Sequence, residues 1–517
     1  MRVDGIAIFS GCRGRTARRW IWPALALGVA VFAVERAAAS PDEVRNAHAR
    51  QDCARGAFKD YYLQGEGVDP ASGYGGRVFK LSQDYPDQLP PKENYPWLAI
   101  AFENGGPVDP RAYLQALLDY GLEGNVETDF YVEDNKVRRW YAMPWMDWNS
   151  EVAADWPGTD GREFVHGLTH EFDSSPKTLS SLQGHYVDTW SGAYYNDRAG
   201  FGIGQVYCDP NSPDPSALNP DPEGFNNFAD GSYIIKLLFS TVDEKQLPLM
   251  KDALEWQADI FVEIDPNVRN KGPISRFERK VQTVRLLQID VAVRDDRSVT
   301  GWVFGTFSYD GTRPGETVWD RMVPLGLEWG GNPNVSYRDT CDVQGKCSQE
   351  KLDQQWINQS AVEEMLTPPL TLDHLGYGGR LAGPVDNPKA ACMGCHQTAG
   401  FPLVAIQPEN SVLAPILGLN DNKTVADHQD FRMVYYQNVI SGVVFSDRQL
   451  YASDYSLQLA MSLQNFASLR CPVEVDKKPK LCSTLSDWAD AMRAYVDRLT
   501  VLGTPGPAGA PLAPGGN

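Results

Sequence analysis

The pentapeptide Cys392-Met393-Gly394-Cys395-His396 constrains this 517-residue chain more than any other feature. Two thiols three positions apart, followed at once by an imidazole, are what covalent attachment of haem requires. Cys392 and Cys395 would form thioethers with the two vinyl groups, and His396 would be the proximal ligand of the iron. A Cys-x-x-Cys pair is also compatible with a redox disulfide, half of a zinc site or two buried small residues. Those alternatives need a second cysteine pair, a spaced histidine pair or an α/β context, which this stretch lacks.

Residues 1–39 have the pattern of a secretory signal peptide. The positive flank before the apolar run Trp20–Val34 is Arg13, Arg15, Arg18 and Arg19, and Ala37-Ala38-Ala39 before Ser40 fits a small-residue cleavage site. The run is shorter than the 18 or so residues expected of a membrane-spanning helix. We therefore expect removal of the segment, no stable membrane insertion afterwards, and a periplasmic or secreted bacterial protein.

The cysteine count agrees with export. Cys12 would leave with the signal peptide and two cysteines would go to haem, so six of the nine remain. An even remainder predicts three disulfides, which oxidising compartments favour. Proximity favours Cys341 with Cys347 and Cys471 with Cys482, which leaves Cys53 with Cys208, although six cysteines permit other pairings.

The charge limits the partners. The formal net charge is −20, and residues 1–39 carry six arginines against Asp4 and Glu35, so their removal would leave about −24. A chain this acidic is a poor nucleic-acid binder, because phosphate binding needs a basic surface. The same charge would steer a basic redox partner protein toward the molecule.

The length predicts a multidomain protein, because a single domain rarely exceeds about 250 residues. The mixture of predicted strands and helices makes its fold class α+β. Residues 40–227 are rich in aromatic residues, proline and glycine, which predicts short strands and loops. Residues 228–345 are predicted to form an antiparallel β-sheet domain with one helix, residues 346–502 an all-α haem domain, and residues 503–517 a disordered Gly/Pro/Ala tail. The Trp-rich part of the first region is predicted to pack in a core, with a ligand-binding surface as the alternative.

The second region carries the clearest periodicity. Strands are predicted over Ser232–Phe239, Val281–Val293 and Gly301–Tyr309, with a turn at 309–312 and a helix over Lys245–Phe261. In the middle strand Leu287, Ile289, Val291 and Val293 alternate with polar neighbours, which implies one buried face.

His166 and His170 stand four positions apart, which on a helix would place both imidazoles on one face as a possible metal pair. No Glu directly follows His166, as a zinc protease motif would require. We therefore expect ordinary surface or hydrogen-bonded histidines.

The C-terminal part resembles the small globular class of c-type cytochromes. The haem motif stands early, helices are predicted over Ser411–Leu419, Val425–Ile440 and Tyr455–Leu469, and Ser486 can cap a last helix with one apolar stripe. The resemblance implies one covalent haem c and, beyond the motif, a methionine as sixth ligand. Met461 and Met433 are the candidates, His428 is the bis-histidine alternative, and an open site is the remaining one.

A fainter resemblance concerns the segments 231–236 and 301–305 followed by the haem motif. Their order is similar to that of small β-rich cytochromes in which a lysine crosslinks the haem and hydroxylamine or nitric oxide is the substrate. That resemblance implies Lys236 as the crosslinking residue.

Three functions follow from these expectations. The first is a periplasmic single-haem cytochrome acting in electron transfer. The second is a haem-dependent oxidoreductase acting on hydroxylamine, nitric oxide or peroxide. The third is a ligand-binding protein with a haem relay.

Overall fold

The structure is a computed structural model of the whole chain. It describes residues 40–50, 53, 74–80, 82–146, 163, 165–171, 173–209, 213–218, 227–262, 279–386, 391–402, 436–439, 444–445 and 450–470. The predicted signal peptide and the predicted C-terminal tail lie outside these residues.

Seven α-helices are present among the described residues. They are α1 Pro41–His48, α2 Pro110–Leu122, α3 Asp197–Val206, α4 Tyr337–Thr340, α5 Gln359–Met365, α6 Cys392–His396 and α7 Leu457–Arg470. Short 3-10 helices cover Pro96–Ala99, Val126–Thr128, Val132–Asp134, Pro215–Leu218, Pro248–Met250, Trp319–Arg321 and Tyr377–Gly379. None of the described helices combines the length and the apolar character needed to cross a bilayer.

Thirteen strands belong to three sheets in the described part of the chain. They are β1 Phe102–Glu103, β2 Gly106–Pro107, β3 Thr169–His170, β4 Thr189–Tyr195, β5 Tyr233–Ser240, β6 Glu255–Phe261, β7 Arg279–Arg294, β8 Trp302–Tyr309, β9 Met322–Glu328, β10 Gln355–Ile357, β11 Gly400–Pro402, β12 Val444–Phe445 and β13 Leu450–Ala452. The main sheet is antiparallel in the order β10-β9-β8-β7-β5-β4-β3, and β6 also pairs with β7. Its strands come from all three predicted mature regions.

The α+β class is confirmed, and so are the three predicted strands, which correspond to β5, β7 and β8. The helix predicted over Lys245–Phe261 is wrong. That segment contains the 3-10 helix at Pro248 and then strand β6, in which Trp256, Ala258 and Ile260 are buried at every second position. A period of two fits a strand with one buried face, whereas a helix would bury every third or fourth residue.

Helices α2 and α3 lie in the region for which strands and loops were predicted. In α2 the Asp109 side chain accepts a hydrogen bond from the backbone N–H of Ala112, and Pro110 occupies the first helical position. Both residues are favoured there, because the cap satisfies a free N–H and proline needs none. In α3 Asn196 caps the helix in the same way through Ala199.

The first face of the main sheet is covered by the largest hydrophobic core. Leu114, Leu117 and Leu118 of α2 pack there against alternate residues of β5, β7, β8 and β9. The four alternating residues predicted to share a buried face of β7 all belong to this core: Leu287, Ile289, Val291 and Val293.

The second face of the same sheet meets a different core. The sheet contributes Tyr195, Ala292, Trp302 and Phe304 to this core, and the motif contributes Met393. Helices α3 and α7 contribute Ala199, Ile203, Val206, Leu459, Leu463 and Phe466. The motif at residues 392–396 therefore lies against the face of the sheet that α2 does not cover.

Two of the three disulfides favoured from the sequence are present, Cys53–Cys208 and Cys341–Cys347. Cys471 and Cys482 lie outside the described residues. The helices predicted over Ser411–Leu419 and after Ser486 also lie outside them. Of the helix predicted over Val425–Ile440 only residues 436–439 are described, and these are not helical. The helix predicted over Tyr455–Leu469 is confirmed by α7. The described part of residues 346–502 is not all-α. It also contains β10, which extends the main sheet, and the small sheet of β11, β13 and β12.

Candidate functional site

The motif forms α6, a single short helix that begins directly at Cys392. Ala391 before it is extended, and the backbone N–H of Cys392 donates to the carbonyl of Leu381 at 2.8 Å. Met393 and Gly394 are buried, while the two cysteines and His396 are partly accessible. Both cysteines are reduced thiols. The three side chains that bear chemistry are thus the accessible ones of this helix.

The His396 ring is fixed by a backbone carbonyl. Its Nδ1 atom lies 2.8 Å from the carbonyl oxygen of Tyr455, and its ring centroid lies 4.4 Å from that of Phe304. A carbonyl only accepts, so Nδ1 carries the proton and Nε2 keeps its lone pair. Burial lowers the pKa of His396 to about 4, so the imidazole is neutral near pH 7. A neutral imidazole whose Nδ1–H is held by a carbonyl is the form in which histidine binds a metal.

A buried ion pair holds the start of α6. Glu328 at the end of β9 accepts the backbone N–H of Met393 with Oε2 at 2.6 Å. Its Oε1 lies 3.2 Å from Nε of Arg380, and neither side chain has any exposed surface. Removing one partner of such a pair leaves a buried charge without compensation, so both are needed to keep the motif in place.

One row of residues crosses the second face of the sheet beside the motif. The strand register pairs Ala193 with Lys236, Lys236 with Asp290, and Asp290 with Thr306. Neighbouring strands are about 4.8 Å apart, so Lys236 and Thr306 are separated by about 10 Å. We call Lys236, Asp290 and Thr306 the polar row.

The polar row reaches the first thiol. The Thr306 hydroxyl donates to Asp290 Oδ1 at 2.8 Å, and its Oγ1 lies 3.8 Å from the Sγ atom of Cys392. Gln288 donates to both Asp290 at 2.9 Å and Asp386 at 3.3 Å. A hydrogen-bonded chain thus runs from Asp386 to the motif.

Lys236 forms the other end of the row. Its Nζ atom lies 2.8 Å from Oε1 of Glu171, which also accepts the Ser191 hydroxyl at 2.5 Å. About a quarter of each side chain in this ion pair is exposed. One ammonium group therefore stands among three carboxylates, those of Glu171, Asp290 and Asp386.

The environment shifts these groups in a consistent way. Burial alone would lower the pKa of Lys236, but the three carboxylates outweigh it and the net shift is upward. Burial, with Asp386 next, raises the pKa of Asp290 to about 7. Burial also raises the pKa of the Cys392 thiol, and the nearby carboxylates of Glu328, Asp386 and Asp290 act in the same direction. The surroundings of Cys392 thus favour the thiol over the thiolate.

The candidates for the sixth ligand have different outcomes. Met461 lies on α7, partly buried against Ala399 and Ala460. Met433 and His428 lie outside the described residues. The choice of sixth ligand stays a prediction.

The histidine pair is not on a helix. His166 lies in a turn and stacks on Trp256 with ring centroids 4.1 Å apart, while His170 lies in β3. Gly167 between them has a φ of +71°, which ends any helical run. His170 instead shares a cluster with Asp173 and Asp188, whose ligand atoms all lie within 4.8 Å of one another.

Several site residues were not foreseen from the sequence: Glu328, Arg380, Asp290, Thr306 and Asp386. A signal existed for one of them. Asp290 is an acidic residue inside a strand that otherwise alternates large apolar residues, and an ionisable group there needs a partner on the polar face. For Glu328 and Arg380, 52 positions apart, sequence spacing carries no such signal.

Comparisons with known proteins give no relative. No family model matches the chain, and neither a curated protein nor a solved structure is similar to it.

Proposed function

We propose that this chain is an exported c-type haem protein that acts in electron transfer. The observation that carries the proposal is the 2.8 Å contact between His396 Nδ1 and the Tyr455 carbonyl. It fixes the tautomer that a proximal histidine needs, in the one helix that also presents two reduced cysteines. Haem, when bound, supplies a one-electron couple at its iron.

The donor set fits haem better than the alternatives. Cys392 and Cys395 would carry the thioethers, and His396 would bind iron through Nε2. A zinc site would need a second cysteine pair or a spaced histidine pair beside the motif, and none lies there among the described residues. The mainly aromatic and aliphatic core around Phe304 and Met393 suits a porphyrin, which is a large apolar ring.

The setting of the protein is part of the same proposal. We propose a periplasmic or secreted location, a helical C-terminal module to which α7 belongs, and a redox partner protein with a basic surface. The two disulfides support an oxidising compartment. The net charge of −20 supports a basic partner.

Purification of the exported chain tests the haem. We expect a pigment that stays with the polypeptide under denaturing conditions, and a mass increased by one haem. Cys392→Ala and Cys395→Ala should each leave one thioether, and the double variant should lose the pigment on denaturation. Cys341→Ala with Cys347→Ala is the matched control, because it removes two cysteines and should keep the pigment. A mature mass equal to that of the polypeptide alone would refute the proposal.

The polar row favours a second candidate function, a haem-dependent oxidoreductase acting on hydroxylamine, nitric oxide or peroxide. An electron carrier needs no ionisable groups beside its haem, whereas chemistry on a small ligand needs groups that give or take protons. Lys236, Glu171 and Asp290 stand within a few ångströms of one another on the sheet face that meets α6.

Spectra separate the two candidates. An electron carrier should be low-spin in the oxidised form and unchanged by cyanide, and methionine ligation would add its near-infrared charge-transfer band. An oxidoreductase should be high-spin and shift with cyanide or carbon monoxide. Lys236→Gln should alter the Soret band if the lysine is bonded to haem as in the resembled family, and should leave it unchanged if the lysine only contributes charge. Lys245→Gln, an exposed lysine elsewhere, is the control.

A further inference from the structure

A cleft of about 530 Å³ lies on the surface far along the chain from the motif, lined by Lys80, Ser82 and residues of the segment 132–140. Its lining includes four basic residues, one acidic residue and an indole: Lys80, Lys136, Arg138, Arg139, Glu133 and Trp140. The protein as a whole has a net charge of −20. The lining of the cleft is therefore positive, whereas the protein as a whole is negative. A concave surface also focuses the electrostatic field of its charges.

Arg138 is held rigidly at this cleft. Its guanidinium group lies 3.8 Å from the centroid of the Tyr120 ring and donates to the Tyr120 carbonyl at 2.7 Å. Its other terminal nitrogen lies 2.6 Å from Glu123. Both terminal nitrogens of Arg138 are thus engaged inside the protein, and the residue contributes to the cleft a fixed positive charge that Glu123 partly offsets.

The loop that carries these cations is also fixed. The Asn135 side chain accepts hydrogen bonds from the backbone N–H groups of Val137 and Arg138 at 2.8 and 3.0 Å. Its amide group donates to the carbonyl of Glu123 and to Asn125. Lys136 therefore projects from a turn whose backbone is held on both sides.

Not all of the positive charge at the cleft is neutralised. Arg139 pairs with Asp84, and both side chains are more than half exposed. Glu133 forms an ion pair with Arg77, which does not line the cleft. Neither Lys80 nor Lys136 forms an ion pair with any residue that the structure describes, and both are exposed. Two ammonium groups thus remain available beside the arginines.

The two ammonium groups can only donate hydrogen bonds, so any partner must bring acceptor atoms. Phosphate and carboxylate oxygens are acceptors that also carry the required charge.

We propose that this cleft binds a small organic oligoanion that carries at least two phosphate or carboxylate groups. Lys80 and Lys136 offer ammonium groups to the anionic groups, and the two arginines, already paired with Glu123 and Asp84, add fixed positive charge beside them. A concave site of this volume suits a small molecule, because a protein partner would dock on a flatter and larger surface. The site is independent of the haem motif.

Titration calorimetry on the full purified protein tests the proposal, with pyrophosphate and citrate as separate probes. We expect at least one probe to bind at low ionic strength and to bind more weakly as salt is added. The double variant Lys80→Gln with Lys136→Gln should raise the dissociation constant at least tenfold. Preference for one probe assigns the phosphate or the carboxylate class.

The matched control is Lys245→Gln with Lys346→Gln, which makes the same change of charge at two exposed lysines outside the cleft. It should bind the probe as the unmodified protein does. The proposal is overturned if neither probe binds, or if the control variant loses as much affinity as the cleft variant. Thermal unfolding of each variant without probe verifies that the fold is kept, and a bound probe should raise the midpoint.

Discussion

Glu328 and Arg380 form an ion pair with no exposed surface, and the second carboxylate oxygen of Glu328 accepts the backbone N–H of Met393 inside the motif. The last residue of β9 is thereby tied to the helix that carries both cysteines. The ion pair and the motif come from distant parts of the chain. Their link makes the position of α6 depend on the main sheet.

Arg380→Met should therefore destabilise the protein by about 3–5 kcal/mol, because it leaves the Glu328 carboxylate buried without its partner. The double variant Glu328→Gln with Arg380→Met removes the charge and should recover part of that loss. Denaturant unfolding at neutral pH measures both. Equal losses in the single and double variants would show that charge compensation is not what the pair provides.

The two described disulfides should differ in their contribution to stability. Cys53–Cys208 closes a separation of 155 residues and Cys341–Cys347 one of 6. Constraint of the unfolded chain predicts about 5 kcal/mol for the first and about 2 kcal/mol for the second. Paired Cys→Ala variants of each, compared by denaturant unfolding, should rank in that order. The reverse order would mean that native contacts, not chain entropy, decide.

His166 should make the protein sensitive to acid. Burial against Trp256 lowers its pKa to about 3, against about 6.5 in an unfolded chain. Between these values the unfolded state takes up a proton that the folded state does not, so the free energy of unfolding falls as pH falls. His166→Phe keeps a ring on Trp256 and removes the proton site. Relative to the unmodified protein, it should gain roughly 2 kcal/mol between about pH 6.5 and pH 4.5.

Measurement near pH 7.5, where the histidine is neutral in both states, gives the packing effect of the His166→Phe substitution alone. Subtracting it isolates the proton effect. A variant whose stability changes with pH as in the unmodified protein would show that His166 is not kept neutral.

Gly311 should not tolerate a side chain. The turn at 309–312, predicted from the sequence, brings Gly311 against the segment that precedes β6. A Cβ atom on residue 311 would lie 1.8 Å from the backbone oxygen of Lys251. Backbone cannot rotate away as a side chain can, so Gly311→Ala should cost about 1–3 kcal/mol. Gly184→Ala is the control, because a Cβ there meets nothing within 4 Å. Thermal unfolding compares the two variants, and equal midpoints would contradict the expected clash.

The sequence was sufficient for features that depend on neighbours along the chain. The alternation from Leu287 to Val293 predicted a strand with one buried face, and β7 has that face. The haem site at residues 392–396 stays a prediction. Helix α2 was missed because the density of proline and glycine was weighed above its start signal, Asp109-Pro110. The helix predicted over Lys245–Phe261 failed because alternation over a few residues of β6 was outweighed by apolar residues at helical spacing before it.

Features that depend on pairing between distant strands were not predictable. The polar row exists because the register sets Lys236 beside Asp290 and Asp290 beside Thr306. Nothing in the spacing of these residues along the chain specifies that register. The same holds for Arg380, whose partner Glu328 is known only once β9 has its place in the sheet.

The polar row also determines which kinds of mutation the site tolerates. Side chains alternate between the two faces of β5, so one inserted or deleted residue ahead of Lys236 would turn its ammonium toward the Leu114–Leu118 side and bring an apolar neighbour into the polar row. A change of length would thus damage both faces at once, whereas an exchange of side chain damages one. Among homologous chains, strand length here should vary less than residue identity does.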